Sequence, residues 1–167
     1  MRAGIALGSN LGDRLANLRA AIDALRAIAE TNEPFLEAPI YQTEPRFCPP
    51  GSPDFLNTVV EFGFDGSPLE LLAAAREIET RLGRVRSGLQ NEPRVIDVDL
   101  LYLDDLVHRD SELELPHPRM GERRFVLQPL ADIRPELRLP GHGKTVSALL
   151  EGLGNAEAPL VPVSERL

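Results

Sequence analysis

Residues 67–103 read SPLELLAAAREIETRLGRVRSGLQNEPRVIDVDLLYL, and this stretch decides the fold. It opens on Ser67-Pro68-Leu69-Glu70, a capping box with proline at the first helical position. Leu71, Ala75, Ile78 and Leu82 follow at steps of three and four, which predicts a helix with one buried face, and Gly83 stops it. Residues 84–93 read as a loop and residues 95–103 as the strongest strand of the chain.

Outward from this unit the pattern repeats. Residues 55–64 are β-branched and aromatic and read as a strand, as do residues 35–43. Between them, residues 44–54 hold four prolines and cannot be a central strand. Residues 2–7 form a first strand, ended by the turn-prone Gly8-Ser9-Asn10-Leu11-Gly12-Asp13. From Asp13, a fair N-cap, the apolar series Leu15, Leu18, Ile22, Leu25 and Ile28 marks a first helix. The order strand-helix-strand-strand-helix-strand predicts an α+β fold with a ferredoxin-like βαββαβ core. An extra C-terminal hairpin is expected at residues 106–115, with short helices at 125–133 and 146–150. No repeat or second domain is legible, so residues 1–167 are expected to form a single domain.

Composition narrows the function. The longest apolar run, residues 71–75, is far short of the roughly 20 residues of a membrane span. The N-terminus carries no basic region followed by an apolar stretch, so a cytoplasmic address is expected. One cysteine, Cys48, excludes an intrachain disulfide framework; it sits in a proline loop and reads as a bystander. A net charge of −8 argues against nucleic-acid binding, which draws on Lys and Arg. Yet Arg81, Arg84, Arg86 and Arg94 fall within fourteen residues that hold one acid, Glu92. That local reversal suits a small polyanion.

The chemistry gathers immediately downstream. Asp97 and Asp99 alternate on one strand face, about 6.5–7 Å apart at the backbone. Two such acids repel unless a cation lies between them or one keeps its proton. Rigid oxygen donors suit Mg²⁺, which takes one or two carboxylates plus substrate phosphates. Arginine forks at Arg84 and Arg94 suit those phosphates, and the loop between them, with Gly88, could close as a lid. His117, between two prolines, could reach a phosphate together with Arg123. Gly143-Lys144-Thr145 imitates the end of a P-loop, but Arg138 stands where that motif needs glycine. The Gly8–Gly12 turn lacks the full dinucleotide fingerprint and reads as structural.

Six blocks stand in one order: Leu7-Gly8-Ser9-Asn10-Leu11-Gly12; Tyr41-x-Thr43-x-Pro45; Pro53-Asp54-Phe55-Leu56-Asn57; Gly83-Arg84-Val85-Arg86; Pro93-Arg94-Val95-Ile96-Asp97-Val98-Asp99; and Pro116-His117-Pro118 with Arg123-x-Phe125-Val126-Leu127-x-Pro129-Leu130. Over roughly residues 5–137 the chain resembles the 6-hydroxymethyl-7,8-dihydropterin pyrophosphokinases of the folate pathway. The resemblance implies the same ferredoxin-like fold and a reaction in which ATP gives its β,γ-diphosphate to the pterin's hydroxymethyl oxygen, releasing AMP. It implies Asp97 and Asp99 as ligands of two Mg²⁺ ions, and Arg84 and Arg94 as the phosphate-handling, catalytic arginines, with Arg86 a lesser lid contact. Glu79, His117 and Arg123 match positions around the nucleotide, and Leu72, Leu100 and Leu113 positions around its adenine. Thr43, Glu44, Phe55, Asn57 and Phe125 match the pterin pocket, where two aromatic rings can sandwich a flat heterocycle. The expected partners are therefore small molecules, ATP and the pterin, with no nucleic acid and no membrane, on a monomer. A silent binding module on the same fold is the contrasting reading, and it has no use for a repulsive acid pair.

Overall fold

The computed structural model describes residues 1–45, 48–85, 92–154 and 159–163. The strand β1 (Arg2–Ser9) leads into the helix α1 (Arg14–Ile28), whose first turn is capped by Asp13 accepting from the Ala16 amide. Then come β2 (Leu36–Glu37), β3 (Tyr41–Thr43), β4 (Phe55–Gly63), α2 (Pro68–Arg81) and β5 (Asp97–Leu103). A two-stranded ribbon, β6 (His108–Arg109) with β7 (Glu114–Leu115), precedes α3 (Arg124–Ile133), α4 (Val146–Gly152) and β8 (Val161–Pro162). The main sheet runs β5-β1-β4-β3-β8, with β2 also on β4, and every neighbouring pair is antiparallel. The expected α+β class with an antiparallel sheet is what the chain adopts.

Each sheet face buries its own apolar cluster. One packs Ile5, Leu7, Val60 and Phe62 against Leu18, Ile22 and Leu25 of α1 and Leu71, Ala75 and Ile78 of α2. The other packs Val59, Leu101 and Tyr102 against Val126, Leu127 and Leu130 of α3 and Val146 of α4. Of the residues expected to form the buried faces of α1 and α2, Leu18, Ile22, Leu25, Leu71, Ala75 and Ile78 are buried, Leu15 and Leu82 are partly buried against the same cluster, and Ile28 is exposed.

Three details differ from the expected elements. The strand expected at residues 35–43 is broken into β2 and β3, because Pro39 between them has no amide for the ladder. The strand expected at residues 95–103 begins only at Asp97. In its place, Arg94 pairs with Asn10 through Asn10 N–H to Arg94 O (3.1 Å) and Arg94 N–H to Asn10 Oδ1 (2.7 Å). The third difference is β8, for which the sequence carries no signal.

A bulge resets the alternation within β5. Ile5 pairs with Leu100 but Gly4 pairs with Tyr102, so Leu101 is skipped and both Leu101 and Tyr102 turn toward α3 and α4. The Tyr102 ring then lies over Gly4, where any Cβ would come within 2.2 Å of it. Its hydroxyl donates to the fully buried Glu61, which also accepts from Arg2 at 2.8 and 3.0 Å.

The capping box of α2 forms as read: the Ser67 hydroxyl accepts from the Glu70 amide, and the Glu70 carboxylate accepts from the Ser67 amide at 2.7 Å. That amide, and then the Ser67 hydroxyl, hold the Glu70 carboxyl below its ordinary range. A lowered carboxyl stabilises the fold above its unfolded pKa and loses that contribution as pH falls through the folded value. Ser67→Ala removes the N-cap acceptor and should cost about 1 kcal/mol at neutral pH. Urea titrations should show that penalty shrinking as pH falls through the lowered folded-state value of Glu70 and its carboxylate takes up a proton.

Candidate active site

The ends of the central strands, the start of α3 and the last strand enclose a cavity of about 1040 Å³. Strand register explains its floor. Asp97, Gly8, Asn57 and Tyr41 stand side by side across β5, β1, β4 and β3, and Asp99, Ala6 and Val59 form the next row on the same face. The two central positions are thus glycine and alanine. A Cβ at Gly8 would lie 2.8 Å from Asn57 Oδ1 and 3.6 Å from the Phe55 ring, so glycine keeps the floor open between the acids and the Asn57 side.

On the acid side, Asp97 is shared by two guanidiniums. Arg84 Nη1 donates to its Oδ1 at 2.5 Å and Arg94 Nη1 to its Oδ2 at 3.0 Å. Arg84 also pairs with Glu79, a buried carboxylate that accepts the Val98 amide at 2.9 Å. Asp99 has a weaker partner, with Arg123 Nη1 at 3.9 Å. Its side chain is 39% exposed and lines the cavity. Burial first, and then the Asp97 charge, push its carboxyl up to about 7. Burial, with Arg123 and Arg119 nearby, lowers His117, so its imidazole is neutral at pH 7.

The opposite wall is apolar with a polar edge. Phe55 and Phe125 both line the cavity, and among the described residues the stacked ring pair is Phe35 with Phe62, so the two cavity rings keep their faces free of each other. Arg94 lies over Phe55 at 5.7 Å and Arg123 over Phe125 at 5.5 Å, which ties each ring to a cation of the acid side. Asn57 Nδ2 donates to Thr43 Oγ1 at 2.6 Å. Glu44 stands at the rim.

The structure brings Thr43, Glu44, Phe55, Asn57, Arg84, Arg94, Asp97, Asp99, His117, Arg123 and Phe125 to one cavity. Glu79 stands behind Arg84, outside the lining. Leu72, Leu100 and Leu113 meet elsewhere: Leu100 and Leu113 lie in the cluster beneath α1 and α2, and Leu72 packs against it. The alternation that turns Asp99 to the cavity turns Leu100 away from it. Arg86 and most of the expected lid, residues 86–91, lie outside the described residues.

Sequence reasoning missed several positions. Asn10, read as part of a structural turn, is 1% exposed; it holds Arg94 as described and donates from Nδ2 to Pro53 O at 3.2 Å. It fixes the two rims that carry Arg94 and Phe55. Cys48, read as a bystander, lines the cavity, as do Arg119 and residues 159–163. A signal for Arg119 existed in its place two residues after His117. Nothing local pointed to residues 159–163.

The family model described as 7,8-dihydro-6-hydroxymethylpterin-pyrophosphokinase matches residues 4–135. The 2-amino-4-hydroxy-6-hydroxymethyldihydropteridine pyrophosphokinase of Pseudomonas aeruginosa is 40% identical over 139 residues, covering 83% of this chain and 84% of that protein. The Synechocystis protein of the same name is 37% identical over 147 residues, covering 88% of this chain and 73% of the relative. Among solved structures, a Plasmodium falciparum HPPK-DHPS with pteroate superposes with a TM-score of 0.65 at 15% identity. It covers 90% of this chain, which spans only 42% of that longer one, and the likeness concerns the fold.

Glu79 combines a buried ion pair with a backbone hydrogen bond. Its loss strands the Val98 amide and, among the described residues, leaves Arg84 paired with Asp97 alone. Glu79→Ala should lower stability by about 2–4 kcal/mol, read as a shift of the urea midpoint with an unchanged slope.

Proposed function

We infer what this site does from one premise: the chain belongs to the 7,8-dihydro-6-hydroxymethylpterin-pyrophosphokinase family. It transfers the β,γ-diphosphate of ATP to the hydroxymethyl group of 6-hydroxymethyl-7,8-dihydropterin, giving AMP and the pterin diphosphate for folate biosynthesis. The strand order β5-β1-β4-β3, with β2 and β3 together as one broken strand, supports reading the core as ferredoxin-like βαββαβ, with β6–β7 as the added hairpin. Residues 1–167 are read as one pyrophosphokinase domain, acting as a cytoplasmic monomer. No described helix is long and apolar enough to cross a membrane.

The assignment of roles rests on one observation. Asp97 and Asp99, with Arg84, Arg94 and Arg123, face an aromatic slot across a floor of Gly8 and Ala6. Asp97 and Asp99 are oxygen donors suited to Mg²⁺. Among the described residues no group of three or more His, Cys, Asp or Glu comes together to cage a metal, which leaves further ligand positions to water and phosphate, as Mg²⁺ prefers. Bound there, as two ions in this reading, Mg²⁺ supplies neutralisation of the triphosphate charge.

The remaining work falls to the chain's own side chains. Arg84 and Arg94, now divided over one carboxylate, are placed to exchange it for phosphate oxygens, which accept guanidinium forks bidentately. Arg123 and neutral His117 line the nucleotide side, with Glu79 holding Arg84 from behind. Leu72, Leu100 and Leu113 are the apolar group assigned to the adenine, and Arg86 a lid contact. Phe55 and Phe125 sandwich the pterin, while Thr43, Glu44 and Asn57 read its polar edge. The hydroxymethyl oxygen bonds to the β-phosphorus and releases its proton to solvent as the bond from that phosphorus to the α-phosphate oxygen breaks. Arg84 and Arg94 stabilise the charge that grows on the departing AMP.

The direct test is AMP formation from ATP, Mg²⁺ and the hydroxymethyl-dihydropterin; its absence would refute the reading. Asp97→Asn and Asp99→Asn should each reduce turnover about a hundred- to a thousandfold. Calorimetry should find pterin binding nearly intact in both. Phe125→Ala should instead weaken pterin binding more than about tenfold, a loss of about 1.4 kcal/mol or more.

A further inference from the structure

β8 lies beyond the residues that match the family, 4–135, yet residues 159–163 form one side of the cavity. Its attachment is specific. Val161 pairs with Gln42 and Pro162 with Tyr41, and the Val163 amide donates to Ile40 O at 2.7 Å. Continuing that register by one residue sets Leu160 opposite Thr43, which itself stands opposite Phe55. Alternation then turns Leu160 and Pro162 to the face that carries Thr43 and Tyr41, the cavity face. Val163 packs against the cluster under α1 and α2 and Val161 is 73% exposed, so although both border the cavity, Leu160 is the half-buried apolar side chain of β8's edge beside Thr43.

We propose that Leu160 is a specificity-determining wall of the acceptor pocket, held against Thr43 by β8 and closing on the edge of the heterocycle that the Phe55 and Phe125 rings leave open. This rests on the acceptor side being the one lined by Thr43, Phe55, Asn57 and Phe125. A strand added only to cover the open edge of β3 would need its backbone alone. Leu160 instead presents a half-buried apolar side chain to the cavity, and such surface gains when a flat ligand covers it.

The experiment uses the full chain with three variants, steady-state kinetics in each substrate and a thermal melt for each protein. Leu160→Asp puts a charge on the wall, and Val163→Pro removes the amide that pins β8. Both should raise the KM for the pterin about fivefold or more while the KM for ATP stays within about twofold. Leu160 lies outside both buried clusters, so Leu160→Asp should melt with the parent and carries the test if Val163→Pro loosens the fold. Phe125→Ala is the reference. If it raises the pterin KM and neither other variant does, the wall is refuted and the acceptor site stands. If none of the three moves it, the acceptor-side reading fails and the wall with it. Equal rises in both KM values would also overturn the proposal, since they mark a general structural role.

Discussion

Two carboxylates on one strand face are the constraint from which the rest of this site follows. Asp97 and Asp99 cannot both be ionised in a recess at the end of β5 without positive charge beside them. Three arginines from three different segments supply it: Arg84 after α2, Arg94 before β5, and Arg123 at the start of α3. A chain with a net charge of −8 thus gathers three of its arginines at one point. The same point is where a polyanion and divalent cations would take over the pairing. In the proposed reading the Asp97 clamp is exchanged for phosphate, whereas the Glu79 contact behind it is buried and bonded to backbone.

The sheet holds this charge cluster at a set distance from the aromatic slot. Rows of residues run across strands, so Asp97 and Asn57 are separated by one strand with glycine between them. A larger residue at position 8 would meet Asn57 and close the path between the two halves. At the other end of the same strands, Tyr102 crosses a second glycine to reach Glu61, so the two open positions serve opposite ends: one leaves room for ligand, the other for a packed ring. The Asn10 side chain links the two rims, donating to the Pro53 carbonyl and accepting from the Arg94 amide, which makes the separation of Arg94 and Phe55 a property of the folded loop pair.

Much of this was legible before any coordinates. The capping box at Ser67, the periodic faces of α1 and α2, and the alternation of Asp97 with Asp99 are local patterns, because helices and strands repeat over a few residues. The acid pair and arginines suggested phosphate chemistry by residue type, and the six ordered blocks carried the family. The break at Pro39 was also written in the chain, since proline cannot donate to a ladder, but a single strand over residues 35–43 passed over it.

What the chain could not declare by itself are relations between segments far apart in sequence. The bulge opposite Gly4, the Asn10 link to Arg94 and Pro53, the approach of Arg119 to the cavity, and the seating of residues 159–163 beside Thr43 each depend on which strands become neighbours and in what register. Leu100 shows the boundary most clearly: its place beside Asp99 was readable, and alternation set it on the opposite face, but its company with Leu72 and Leu113 exists only once α2 and β7 have packed there. By itself the sequence determined the elements, their order and the chemical character of the site, because those rest on local periodicity and side-chain type. Tertiary structure alone decided which of those side chains share a cavity, because strand register and packing are set by contacts that no local window contains.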